Sequence, residues 1–156
     1  MKKKRTYKDL SYSKEIDVSA FGFELVRQVL IPELLGNEQS QILYWAGRRL
    51  ARDFPLSSID EVVSFFQQAG WGELRLEQEK KNELTFSLSS ELIIRRNREK
   101  VPATYQLEAG FLAQQIQEMK NCITESYESE KGFKNNKLQL FVKWDKKDEL
   151  DSEAAE

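Results

Sequence analysis

Arg95, Arg96 and Arg98 form the densest basic cluster inside the chain, and planar guanidinium forks suit carboxylates or phosphates. A solvated helix face is the plainer reading of the same three residues. Arg48, Arg49 and Arg52 likewise read as the outer side of an amphipathic helix, where they pair with neighbouring acids. Glu108 opens a helix whose dipole favours its carboxylate, so it reads as a capping acid rather than a catalytic one. Gln114 and Gln115, beside an apolar stripe, either satisfy buried backbone or mark an interface. Cys122 is the single cysteine, and the 156 residues contain no histidine to activate its thiol. The missing imidazole excludes histidine metal sites and Ser-His or Cys-His nucleophile pairs. No catalytic residue, metal or cofactor is therefore expected, and Cys122 reads as a small packing residue. One cysteine closes no intramolecular disulfide, which fits a cytoplasmic protein.

Charge narrows the partners further. Twenty-four Lys plus Arg stand against 26 Asp plus Glu, a net charge of -2 that makes no electrostatic case for nucleic acid or lipid. RNA recognition on a sheet needs aromatics interleaved with basic residues, whereas Glu73, Glu77, Glu125 and Glu128 fall at positions read as wet. The longest apolar runs fall far short of the roughly 20 residues that span a bilayer, so no membrane insertion is expected. Residues 1–16 read as a flexible basic segment without an export signal, 17–144 as one domain, and 145–156 as a disordered acidic tail.

The elements that must position these groups follow from periodicity. Gly22, Leu25, Val26, Val29 and Leu30 predict one apolar helix face from Ser19, disturbed at Pro32 and stopped at Gly36. A second helix, Gln39 to Phe54, turns Ile42, Leu43, Ala46, Gly47, Leu50 and Phe54 inward and ends at Pro55. Ser58 and Glu61 form a capping box opening a third helix, with Ile59, Val62, Val63 and Phe66 inward. The period then changes to two: Leu74 and Leu76, a turn at 79–82, then Leu84, Phe86 and Leu88 make a hairpin. Residues 89–98 extend the strand or form a short helix, the latter favoured. A fourth helix from about Thr104 stacks Ala109, Leu112, Ile116 and Met119, and a second hairpin is expected about Gly132. The predicted fold is α+β, order α-α-α-β-β-α-β-β, with a four-stranded antiparallel sheet and helices packed on one face.

Two small-residue features stand out. Gly70 and Gly72 flank Trp71, which lets the chain leave a helix and enter a strand with the indole packed inward. Gly110 between Ala109 and Ala113 permits close backbone approach, either within the chain or across a dimer seam.

With Gly70-Trp-Gly72 opening the first strand and Glu108-Ala-Gly-Phe-Leu-Ala-Gln-Gln115 opening the last long helix, the chain resembles the YslB-like family of uncharacterised Gram-positive bacterial proteins. Phe21-Gly-Phe-Glu-Leu-Val-Arg27, Tyr44-Trp-Ala-Gly47 and Leu138-Gln-Leu-Phe-Val-Lys-Trp144 carry the same resemblance. More distantly, the element order is similar to four-vinyl-reductase domains and trafficking-complex (TRAPP) subunits. That resemblance implies an α/β sandwich, frequent dimerisation through helices, and a hydrophobic pocket for apolar ligands or acyl chains. Cys122 matches neither the acylated nor the metal-binding cysteine patterns of those proteins.

Residues and resemblance together predict a non-enzymatic binding domain with an apolar cavity between helices and sheet. Its expected lining is Phe66, Trp71, Phe86 and Phe111, with Arg95 or Arg96 at the mouth for an acidic head group. The alternative is a homodimeric adaptor that uses Gly22, Gly47 or the Ala109-Gly110-Ala113 patch and holds no small ligand.

Overall fold

A computed structural model describes residues 7–149. After a 3-10 helix, Tyr7–Ser13, the first long helical segment winds in three parts. These are α1 (Ala20–Glu24), a π-helical stretch Leu25–Leu30 and α2 (Ile31–Leu35). Ser19 starts it, its hydroxyl accepting from the Gly22 amide at 3.0 Å. Pro32 explains the middle part: it offers no N–H to the carbonyl one turn back and its ring crowds that turn, which widens. The Ile31 amide bonds the Val26 carbonyl, five residues back. The wider turn carries the expected apolar face out of register with the body. Phe23, Arg27 and Ile31 face inward, half-buried, whereas Leu25, Val26, Val29 and Leu30 are exposed.

Gly36, at φ 61°, ends the segment in the left-handed region that favours glycine. A 3-10 turn, Gly36–Glu38, leads into α3 (Gln39–Asp53). Then α4 (Ile59–Gln68) begins at the expected Ser58, whose hydroxyl accepts from the Glu61 amide, whereas the Glu61 carboxylate accepts from the amide of Ser57, one residue earlier than expected, at 2.6 Å.

Strands β1 (Glu73–Lys80) and β2 (Glu83–Ser89) form the first hairpin, and α5 (Glu91–Arg98) follows directly. Ser90 separates strand from helix by accepting from the Ile93 amide. Next come α6 (Gln106–Lys120), β3 (Cys122–Lys134) and β4 (Lys137–Glu149). The second hairpin turns at Asn135 and Asn136, not about Gly132. Both asparagines have positive φ, the pair of left-handed residues that a tight hairpin needs, and Gly132 lies where the β3–β4 register shifts.

The four strands run β1-β2-β4-β3, every pair antiparallel, with helices over one face. The order and class are those the sequence predicts. Helix α6 lies on β3 and β4, α4 on β1, and α3 packs across the back of α6. Helix α6 is consequently buried all round from Glu108 to Ile116, rather than along a single stripe. Strand β4 continues past Trp144, and 1–6 and 150–156 of the expected end segments lie outside the described residues. Among the described residues no helix is long and apolar enough to cross a membrane.

Candidate functional site

Three of the four expected lining residues, Phe66, Phe86 and Phe111, are packed solid rather than arranged around a space. Phe65 stacks on Phe111 at 4.4 Å, and Trp71 meets Phe66 and Phe111 edge-on at 5.0 and 5.3 Å. Phe66, Phe86 and Phe111 have no exposed surface, and of the four only Trp71 reaches a pocket. Arg95 points outward to Glu91 on its own helix. Arg96 is buried, its Nε donating to Glu24 at 2.9 Å and its Nη1 to the Tyr105 hydroxyl at 3.5 Å. Neither stands at a pocket mouth.

The interface candidates also lie inside. A Cβ on Gly47 would come within 2.1 Å of the Leu107 carbonyl oxygen, so this glycine is occupied by the crossing of α3 and α6. Gly110 makes the same crossing from the other side. Ala109 and Ala113 are fully buried, and only Gly22, a half-buried residue at the pocket rim, adjoins open surface.

The apolar pocket sits between the first helical segment, the start of α3 and the start of α6, with a volume of about 390 Å³. Val26, Ile31, Leu43, Trp71 and Leu107 give it an apolar wall; Arg27, Gln28, Gln39 and Thr104 supply its polar groups. Glycines position Trp71 here: Gly70 at φ 73° and Gly72 at φ 130° swing the chain from α4 into β1 around the indole.

Arg27 is the residue that sequence reasoning missed. Its guanidinium pairs with Glu108, donates to the Thr104 carbonyl at 3.4 Å and lies 5.7 Å above the Tyr105 ring. Glu108 is 1% exposed, so the acid expected in the first turn of the helix is a buried counter-ion to Arg27. Burial pushes its carboxyl up from the usual range, against the pull of Arg27. Burial likewise raises the Tyr105 phenol, against the Arg96 guanidinium. The signal was present in the sequence, since Arg27 and Glu108 each stand in one of the blocks that carried the resemblance.

Other polar groups expected at the surface turn inward. Arg48 is buried and donates to the Thr124 carbonyl and the Gln117 side chain, both at 2.9 Å. Glu128 is half-buried on the helix side, accepting from the Tyr105 amide and the Gln106 side chain at the start of α6. Gln115 satisfies the end of α3, donating to the Phe54 carbonyl at 2.8 Å and accepting from the Leu56 amide at 3.1 Å. Cys122 is buried against the Lys120 carbonyl, away from the pocket.

A family model described as a protein of unknown function, DUF2507, matches residues 20–143, a span that holds both Arg27 and Glu108. The chain belongs to the DUF2507 family. The uncharacterized protein YslB of Bacillus subtilis (strain 168) is 47% identical over 135 residues, covering 86% of this chain and 90% of that protein. A crystal structure of a vinyl-4-reductase family protein from Methanocaldococcus jannaschii has a similar fold, with TM-score 0.55 and 18% identity over 88% of this chain and 87% of that one. A structure described as probing haem distortion in the H-NOX family is similar at TM-score 0.50 and 14% identity, over 83% of this chain and 74% of that one. At such identities the likeness is one of fold.

Proposed function

We propose that this DUF2507 chain is a non-enzymatic cytoplasmic binding domain that holds a small apolar ligand, such as an acyl chain, in the Val26–Leu43–Leu107 pocket. The observation that carries the reading is the pocket itself: an apolar wall of adequate volume with a few polar groups gathered at Arg27, Gln28 and Thr104. The fold neighbours include a haem protein, but the residues here do not suit haem. The sequence has no histidine, and no cysteine, methionine or tyrosine lines the pocket to stand in as an iron ligand.

Native mass spectrometry of protein purified from its own host tests the reading, together with titration by a fluorescent fatty acid. Excess mass and saturable one-to-one uptake are expected. A clean unliganded mass combined with no uptake overturns it.

A homodimer is the second reading, favoured by a separate observation. From Val18 to Leu34 seven large apolar side chains are 45–77% exposed, and α3 adds Ile42 and Trp45. Exposed apolar side chains concentrated along one segment are what a partner face offers.

A further inference from the structure

Arg27 is a cation at the pocket wall whose charge is already matched from behind. Both hydrogen-bonding contacts described for it leave from Nη2, to Glu108 Oε1 and to the Thr104 carbonyl, although a guanidinium carries five N–H donors in a planar fork. Glu108 meets Arg27 through Oε1, and its own backbone amide also favours the ionised form. Its Oε2 is buried without a hydrogen-bond partner. A buried carboxylate with a vacant oxygen is poorly compensated as an anion, and a proton on that oxygen would remove the unmet charge.

We propose, resting on the pocket reading above, that the pocket selects acyl chains ending in a carboxylate, which docks on Arg27 while Glu108 takes up one proton from solvent. The balance is simple: the ligand arrives as an anion, one O–H bond forms on Glu108, and the guanidinium passes from one carboxylate partner to the other. No other bond changes. Two carboxylates on one guanidinium leave a net anion beside the buried Glu108, and a proton on Glu108 removes it, so binding and protonation are coupled.

The surroundings of Glu108 agree with that coupling. Arg27 faces it from the π-helical stretch, Tyr105 from the start of its own helix and Glu128 from β3. Glu128 adds negative charge, which further disfavours ionised Glu108. Arg96 of α5 bonds both Glu24 of α1 and the Tyr105 hydroxyl, so this pair adjoins the site beside Tyr105. On α3, the charged side chain facing α6 is Arg48, held farther along by Gln117 and Thr124.

Calorimetric titration of the delipidated full chain with dodecanoate and with dodecan-1-ol, in two buffers of different ionisation heat, tests the proposal. The titration is run at a series of pH values upward from the ordinary carboxyl value of 4.5, and the uptake is read where Glu108 of the free chain is ionised. The acid is expected to bind with uptake of about one proton, and its affinity to fall up to tenfold per pH unit above the Glu108 titration. The alcohol binds with no uptake. Glu108→Gln should retain acid binding and lose the uptake, and Arg27→Gln should weaken the acid roughly tenfold or more while sparing the alcohol. Acid binding without proton uptake, or with no loss in Arg27→Gln, overturns the proposal and leaves the pocket reading standing. If neither molecule binds, both fail together. Should Glu108→Gln not fold, the proton count of the unaltered chain decides, backed by the neutral pair Arg27→Gln/Glu108→Gln.

Discussion

Gly110 of α6 lies so close to Tyr44 of α3 that a Cβ on the glycine would stand 1.9 Å from the Tyr44 carbonyl oxygen. Backbone, not a flexible side chain, is the obstacle. Gly47 faces the same crossing from α3, meeting the Leu107 carbonyl and the Phe111 amide. The two glycines let α3 and α6 approach backbone to backbone, and α6 carries that contact onto the sheet. Gly110→Ala is expected to destabilise the fold by about 3 kcal/mol or more, because the helices must separate along their length. Gly47→Ala should cost a similar amount, and the double variant less than the sum, since the first separation makes room for the second methyl. Urea denaturation of the three variants checks this; an additive double variant would contradict a shared crossing.

Arg48 links the same helix to the sheet. Its guanidinium satisfies the Thr124 carbonyl, Gln117 and the Tyr44 hydroxyl, the last at 3.2 Å, in a buried position. Arg48→Met keeps the stem and removes the donors, leaving buried acceptors unmet. A loss of roughly 2–4 kcal/mol is expected. Arg49→Met, on the exposed side of the same turn, should stay within about 0.5 kcal/mol. Parallel denaturant titrations of the two variants make the comparison, and equal effects would remove Arg48 from the core.

These contacts mark where the sequence was legible and where it was not. Alternation at Leu74, Leu84, Phe86 and Leu88 gave the first hairpin, because a period of two leaves little choice of face. Close-approach glycines were visible as small residues, but whether Gly110 met its own chain or a second copy depended on Tyr44, 66 positions earlier in an unrelated helix. Arg48 was placed outward by its charge alone. Its acceptors lie on elements far along the chain, and a helical pattern carries no record of them. Pro32 announced a disturbance, yet the consequence, a wider turn that exposes Leu25 and Val29, required the winding itself. The place of the pocket was missed for the same reason: apart from Trp71, its wall includes the flank of that helix bearing Arg27 and Ile31, brought inward by the altered phase.

Glu108 gives stability a pH dependence of definite sign. Burial raises its carboxyl in the folded state, so the folded chain holds the proton more tightly than the unfolded chain does. That contribution is fully present below the ordinary value of 4.5 and is lost as pH rises through the folded value. Glu108→Gln mimics the protonated form at every pH. Relative to this variant, the unaltered chain should therefore lose stability on raising pH above 4.5, a trend read from urea midpoints. A difference that stays flat would show that the Arg27 ion pair offsets burial, and one that grows in the opposite direction that it outweighs burial.

The exposed apolar face yields the last prediction. Phe21 and Trp45 are 73% and 58% exposed, so replacing either removes little from the core. In a monomer, Phe21→Glu should be nearly neutral and improve solubility. In a dimer closed through this face, a twofold axis would place the new carboxylate against its own copy or among apolar side chains, and either placement disfavours association. Sedimentation velocity of the unaltered chain is expected to show a dimer that persists to roughly micromolar dilution. Phe21→Glu and Trp45→Glu should each shift it to monomer while the folded spectrum is preserved. Because Val18 and Val26 belong both to this face and to the pocket lining, the same variants separate two roles: a dimer that closes the pocket loses ligand on dissociation, whereas an independent pocket keeps it. An unaltered chain that sediments as a monomer at every concentration sinks the dimer reading and leaves the pocket untouched.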